Sequence, residues 1–362
     1  MTTSTAIHSD LAIPPGEYLL EAANELGISQ ADLARRMGRP SQAINEIIKG
    51  EKAITPETAL QLEQVLGVPA HVWTGLEAEY QLVLARQQET KAVEAEIRLL
   101  EKFPYRSMTS MKWIHAVRDD MGRVKELRRF FGVASLSNLP DVKAFSPAFR
   151  QSTRLAASPE ALAAWLRIGE LDARAIDTKP YDEELLRQEL THLRALTKED
   201  PEAFIPQLRT SLAKCGVAFV LRPHLPKTYV NGATFWIAPD KAVLMMSIRG
   251  SWADIFWFSL FHEIGHILLH DKRLTFLEDH QEDLQWKRQE DEANKFAGDT
   301  LIHEATYRQF LASGVLTSQA IRSCALKLGI HPGIVVGRLQ YDKIIGHNHR
   351  YSKLRARYKW QN

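Results

Sequence analysis

The sequence predicts an α+β protein, mainly α-helical, in three parts. Short amphipathic stretches separated by turn residues fill the first 80 residues, and helical patterns continue to about residue 200. Strand-like runs appear only after that point, directly before a long apolar helix. We therefore expect a five-helix domain over residues 1–80, a helical connector over 81–200, and a domain with a small sheet over 201–362.

Composition and charge narrow the class of protein. The 362 residues are 45% hydrophobic, enough for more than one core, and the formal net charge of +2 indicates neither a nucleic-acid binder nor an enzyme for acidic substrates. Cys215 and Cys324 are too few for a disulfide scaffold and too far apart for a Cys-rich zinc site. Met1–Asp10 lacks a secretory pattern, and the most hydrophobic stretch, Ile255–Leu269, is too short to span a membrane. These features predict a cytoplasmic protein with no membrane partner.

Turn and capping residues mark the helices of the first part. Gly27 is expected to end the first helix in a left-handed conformation, and Ser29 to cap the second. Thr55, followed by proline, is a strong cap for the fourth helix, and Pro69 begins a fifth that contains Trp73.

The third helix, opened by Ser41, combines an apolar inner face with a polar outer face. Ile44, Ile47 and Ile48 point inward, whereas short polar side chains point outward. Such an outer face is typical of a helix that contacts base edges in the major groove of DNA. The residues expected to contact DNA are Arg39, Ser41, Gln42, Asn45 and Lys49.

The run from "PPGEYLLEAANELGISQADLARRMGRPSQAINEIIKG" to "HVWTGLEAEY" resembles helix-turn-helix domains of the XRE type, most closely those of HigA-like antitoxins. The resemblance implies sequence-specific binding to operator DNA, often as a homodimer. Charge leaves an alternative open, because residues 1–80 hold five basic and eleven acidic residues, and phosphate binding needs positive charge. In that alternative the five helices form an interaction domain without DNA. The five basic residues nevertheless cluster on or beside the second and third helices, which favours DNA binding.

Further helices and three short strands follow. The helices are expected at 80–102, 111–131, 159–168, 182–196 and 201–214, and the strands at Val217–Leu221, Ala233–Ile237 and Ala242–Ser247.

The segment "WADIFWFSLFHEIGHILLH", Trp252–His270, carries the clearest chemistry. His262 and His266 are four residues apart, so a helix points both toward one metal ion, and Glu263 beside them can accept a proton from a water molecule there. Their neighbours are Phe, Ile and Leu, so these histidines are buried and need partners. A catalytic zinc ion supplies one and needs a third protein ligand.

Several residues are candidates for that third ligand. Glu290 is preferred, because it lies four residues before Asn294 on one helical face, so that Glu290 can bind zinc while Asn294 orients another ligand. Asp291 and Glu292 are then expected on a solvated face. The other candidates are His270, Asp271, Glu278 and His280.

"FHEIGHILLH", "EDEANKFAGDTLI" and "IHPGIVVGRLQ" together resemble the ImmA/IrrE family of metallopeptidases. The resemblance implies a zincin-like domain in which His262, His266 and Glu290 bind zinc, Glu263 is the general base, and the substrate is a repressor protein. His303 departs from the family, which often has proline there, at a position expected to pack.

The leading hypothesis is a DNA-binding regulator fused to a zinc endopeptidase that cuts a repressor or antitoxin. The alternative is a non-catalytic antitoxin or repressor that binds operator DNA and a partner protein, with a structural or silent zinc site; self-cleavage is a third possibility. His331, Arg338 and Tyr341 are candidates for stabilising the oxyanion. The basic segment His347–Trp360 is expected either to touch nucleic acid or a partner, or to be a solvated helix.

Overall fold

The computed structural model describes residues 11–145, 148, 158–249, 251–270, 276–277, 284–347 and 350–359. The chain folds into two compact units, Met1–Ile97 and Arg98–Asn362. Among the residues described, no helix is both long and apolar enough to cross a membrane.

The first unit is a five-helix domain, as predicted. Its core is built from apolar residues of every helix, including the fully buried Leu33, Ile44 and Trp73. The helices are α1 (Pro15–Glu25), α2 (Gln30–Arg36), α3 (Ser41–Ile48), α4 (Pro56–Leu66) and α5 (Ala70–Glu96).

The predicted helix ends of this unit are confirmed. Gly27 has a φ of 66°, and the side chains of Ser29 and Thr55 accept hydrogen bonds from the backbone N–H groups three residues on. One boundary differs: the fifth helix and the expected connector helix are one continuous helix, α5, which passes through residue 80 without a break. Residues 76–96 contain no Gly or Pro and are rich in helix-forming Ala, Glu and Gln, so nothing ends the helix there.

The second unit consists of helices around a small mixed sheet. Before the sheet come α6 (Tyr105–Ser110), α7 (Asp120–Phe131), α8 (Pro159–Ala175), α9 (Glu183–Ala195) and α10 (Pro201–Lys214). After it come α11 (Ala253–Leu269), α12 (Leu284–Leu301), α13 (Glu304–Ala312), α14 (Ser318–Leu328) and α15 (Pro332–Tyr341).

The sheet has the order β1-β3-β2-β4. β1 (Val217–Leu221), β2 (Gly232–Ala238) and β3 (Lys241–Met246) match the three predicted strands to within one residue, and β4 (Phe276–Leu277) was not predicted. β1 runs parallel to β3, with Phe219 opposite Leu244, whereas β2 is antiparallel to both β3 and β4.

Helix α11 is the central element of this unit. All but three of its seventeen residues are buried, and it packs on the sheet and on α12. Gly265 permits a close crossing, because a Cβ there would lie 3.2 Å from Cα of Ala293 on α12. The helix is apolar all round because it is covered on every side.

The C-terminal segment holds the start of α11. Asp254 and Arg355, each 8% exposed, form a two-bond ion pair at 2.8 and 2.7 Å. The guanidinium groups of Arg355 and Arg357 each lie 4.0 Å from the centre of the Trp252 ring. The described part of the predicted basic segment therefore packs against the start of α11. Its helical structure is a short 3₁₀ helix at Arg350–Leu354.

Candidate metal centre and DNA-facing helix

Helix α11 presents the predicted motif inside the second unit. Spacing of four residues places His262 and His266 on one face, and Glu263 lies beside them. Their exposed fractions are 1%, 2% and 0%, respectively. The three side chains are thus enclosed by protein, as the apolar sequence around them predicts.

Helix α12 brings Glu290 to the two histidines. Its carboxylate oxygens lie 3.3 Å from Nε2 of His262 and 3.3 Å from Nε2 of His266, and the two Nε2 atoms are 2.9 Å apart. Glu292 points elsewhere: its side chain is 41% exposed and pairs with His270 and Arg288. The structure thus places Glu290, and not its neighbour, in the cluster.

Outer hydrogen bonds fix the orientation of both imidazole rings. Nδ1 of His262 donates to Oδ1 of Asn294 at 3.0 Å, the arrangement expected for Asn294 from the sequence. Nε2 of His270 donates to the Glu292 carboxylate at 3.3 Å, so the other nitrogen of a neutral His270 accepts. Nδ1 of His266 therefore donates to Nδ1 of His270 at 2.9 Å.

Burial and charge keep the cluster in the protonation states that metal binding needs. Burial lowers the pKa of His266 to about 4, and it also lowers the pKa of His270, so both rings are neutral at pH 7. A glutamate side chain such as that of Glu290 is ordinarily a carboxylate at this pH. At neutral pH the cluster offers two imidazoles and one carboxylate.

The donor atoms fit a tetrahedral zinc ion. With each Nδ1 donating outward, the Nε2 atoms of His262 and His266 are lone-pair acceptors that face each other and the Glu290 carboxylate. Three facing acceptors repel unless a cation lies among them. Zinc–ligand distances of about 2.0–2.2 Å give ligand-to-ligand separations of roughly 3.4 Å, close to the 2.9–3.3 Å found here. Two histidines, one carboxylate and an open position form the donor set of a catalytic zinc site.

Strand β2 positions the proposed base. Oε2 of Glu263 accepts a hydrogen bond from the Thr234 hydroxyl at 2.6 Å. The strand backbone also approaches this carboxylate closely, because a Cβ at Gly232 would lie 2.7 Å from Oε1. Only glycine leaves room for the side chain of Glu263 in this place.

The candidates for oxyanion stabilisation are engaged elsewhere to different degrees. Nδ1 of His331 accepts from the Gly333 N–H and caps α15, and Arg338 bonds Asp342 at 2.8 Å. Tyr341 is 71% exposed. Among the other proposed ligands, His270 lies behind His266, whereas Asp271, Glu278 and His280 lie outside the described residues. None of these placements singles out an oxyanion-stabilising residue.

Helix α3 displays the polar face predicted to contact DNA. Ser41, Gln42, Asn45 and Lys49 are exposed, while Ile44 is fully buried. Arg39 differs from these four, because its side chain is 18% exposed and bonds Gln61 at 2.5 Å. The exposed face is therefore mainly uncharged.

Family models match both units. The helix-turn-helix model matches residues 19–73, and the model of the IrrE N-terminal-like domain, a peptidase family, matches residues 252–353. This chain joins a helix-turn-helix domain to an IrrE-like domain. Both resemblances drawn from the sequence motifs are confirmed.

Individual proteins are similar over a smaller share of the chain. Virulence-associated protein I of Dichelobacter nodosus is 35% identical over 79 residues, 22% of this chain and 73% of that protein. The uncharacterized HTH-type transcriptional regulator YddM of Escherichia coli is 30% identical over 73 residues, 20% of this chain and 78% of that protein. The solved structure of Pseudomonas aeruginosa antitoxin HigA with the higBA promoter is 32% identical, with a TM-score of 0.23, covering 24% of this chain and 95% of that one.

Some features of the IrrE-like domain were not found from the sequence. Thr234 and Gly232 are distant in sequence from Glu263, and nothing in their strand indicates that they contact this glutamate. His270 follows His266 by four residues, and this spacing indicates that the two side chains lie on one face of the helix. The spacing alone does not distinguish a metal ligand from a residue that hydrogen-bonds a ligand. His303 was expected to pack, yet it is exposed, and its φ of −55° is one that proline also adopts.

Proposed function

We propose that this chain is a cytoplasmic DNA-binding regulator whose IrrE-like domain is a zinc endopeptidase. The convergence of His262, His266 and Glu290 beside Glu263 carries the proposal. The family resemblance adds the substrate class, a repressor or antitoxin protein.

Zinc, when bound by this cluster, supplies Lewis-acid chemistry that polarises a carbonyl group and makes water more acidic. Glu263 accepts a proton from the attacking water and passes it to the leaving amine. Thr234 holds one oxygen of the Glu263 carboxylate, and the close strand backbone holds the side chain in one position. Asn294 and His270 keep the two imidazoles turned toward the metal.

The DNA-binding half of the proposal rests on α3 and on the family of the first unit. Gln42 and Asn45, three residues apart, present amide groups on one exposed face, and such groups suit adenine edges in the major groove. The similarity to the YddM regulator supports the same role. A homodimer on a palindromic operator is the expected assembly.

Zinc content and cleavage, measured together, test the peptidase. Elemental analysis should give one zinc per chain for wild type and Glu263→Gln, and none for His262→Ala. Mass spectrometry of host-lysate proteins should detect a discrete product with wild type but not with Glu263→Gln. A chain that binds no zinc contradicts the peptidase and favours the non-catalytic regulator.

Selection from random duplex DNA tests the other half. Wild type should enrich a sequence motif, and Asn45→Ala should lose enrichment at particular base pairs. Asn24→Ala on α1, also an exposed asparagine, is the matched control and should select the wild-type motif. Equal selection by both variants would remove α3 from DNA recognition.

A further inference from the structure

A cavity of about 490 Å³ lies immediately beside the proposed metal cluster. It is formed between the first half of α11, the second half of α12, and α15. On α11 its lining ends at Ser259, three residues before His262, and on α12 it begins at Asn294, four residues after Glu290. Asn294 links the cavity to the metal cluster, because it lines the cavity and forms a hydrogen bond with His262.

The lining is chiefly apolar. Besides Tyr341, five aliphatic or aromatic side chains line the cavity, and its size is typical of a ligand pocket. Those side chains are Ile255, Phe258, Leu301, Ile302 and Ile334. At the mouth, the exposed ring of Tyr341 stacks on Phe258 with centroids 6.3 Å apart.

Three charged side chains line the wall, and two of them, Asp254 and Arg338, are paired within the protein, whereas the third, Lys295, is exposed. Asp254 is held in the two-bond ion pair with Arg355. Arg338 bonds Asp342 at 2.8 Å and lies 4.9 Å from the centre of the Tyr307 ring. A charged guest placed against Asp254 or Arg338 would have to displace these pairs, whereas an apolar guest leaves them intact.

We propose that this cavity receives a large apolar side chain of the polypeptide substrate, from a residue next to the cleaved bond. The proposal rests on the proposed peptidase and names a specificity for it. Its physical basis is that the cavity adjoins the cluster at Asn294 and that its wall is chiefly apolar.

Gly298 offers a way to fill the cavity. Among the described residues, a Cβ there would have only the Arg338 guanidinium within 4 Å, with Nη1 at 2.7 Å, and that group is the flexible end of a side chain. Gly298→Leu therefore directs a side chain into the cavity, and replacing a helical glycine does not weaken α12.

Binding of synthetic inhibitors separates this specificity from catalysis. The probes are three peptide hydroxamates, which bind zinc, identical except for a hydrogen, isobutyl or carboxymethyl side chain next to the hydroxamate. Zinc-loaded Glu263→Gln is titrated with each by calorimetry. The isobutyl compound should bind roughly 10- to 100-fold more tightly than the hydrogen compound, as burial of a leucine-sized side chain implies. Gly298→Leu, made in the same background, should remove this preference while retaining zinc.

A second pair of variants tests the apolar pocket even if Gly298→Leu does not fold. Ile255→Ala shortens a wall residue and should weaken isobutyl binding roughly threefold to tenfold. Leu269→Ala, at the other end of the same helix and similarly exposed, should not. Equal binding of all three hydroxamates, or preference for the carboxymethyl compound, overturns the apolar pocket while the zinc site stands. A protein that holds neither zinc nor hydroxamate overturns the peptidase and the pocket together.

Discussion

Asn294→Ala tests whether the orientation of a histidine sets zinc affinity. The substitution removes the acceptor that lies 3.0 Å from Nδ1 of His262 and leaves all three proposed ligands in place. Without that acceptor, the ring can rotate or carry its proton on Nε2, and either change removes the lone pair from the metal position.

The size of the effect follows from the surroundings of the bond. Loss of a hydrogen bond behind a metal ligand typically reduces affinity by about 10- to 100-fold. Asn294 lines the cavity, so water can reach Nδ1 of His262 and replace part of the lost bond. We therefore expect the lower end of the range, about tenfold, or ~1.4 kcal/mol.

His270→Ala provides the internal comparison. His270 links His266 to the carboxylate of Glu292, and its side chain is 3% exposed. Its loss should cost more, nearer 100-fold. Because the two histidines share one metal position and their Nε2 atoms are 2.9 Å apart, the losses in Asn294→Ala/His270→Ala should not add as free energies.

Competition with a fluorescent zinc chelator at pH 7.5 measures each Kd, and circular dichroism checks that the variants are folded. Lys295→Ala, an exposed neighbour on α12, is the control and should match wild type. The reasoning is refuted if Asn294→Ala binds zinc as tightly as Lys295→Ala while remaining folded.

Three further predictions concern the same domain. Glu290→Gln should lose zinc, whereas Glu292→Gln should retain one zinc per chain by elemental analysis; equal losses would contradict the assignment of Glu290. The zinc-free protein should lose up to about 3 kcal/mol of stability in urea titrations as the pH falls from 6.5 to 4, since the pKa of His266 is lowered to about 4 and only the unfolded chain takes up that proton; His266→Gln should flatten this dependence. Gly232→Ala should reduce cleavage at least tenfold with zinc retained, because its Cβ would displace the carboxylate of Glu263; unchanged cleavage would remove the strand from catalysis.

Local patterns in the sequence were sufficient for the elements and for part of the site. The helix ends at Gly27, Ser29 and Thr55 follow from backbone conformation and capping, which depend on a few neighbouring residues. The spacing of His262 and His266 fixes their common direction once the segment is helical. The i, i+4 relation of Glu290 and Asn294 predicted both of their positions beside the histidines.

Contacts between distant segments were decided only by the tertiary structure. Thr234 and Gly232 reach Glu263 because β2 packs under α11, and Arg355 reaches Asp254 across a separation of 101 residues. The cavity exists because three helices separated in sequence meet there. Periodicity records which face of an element is buried, and it does not record which other element covers that face. The sequence by itself therefore determined the spacing of the histidine and glutamate side chains and the helices that carry them. Packing alone decided what surrounds them.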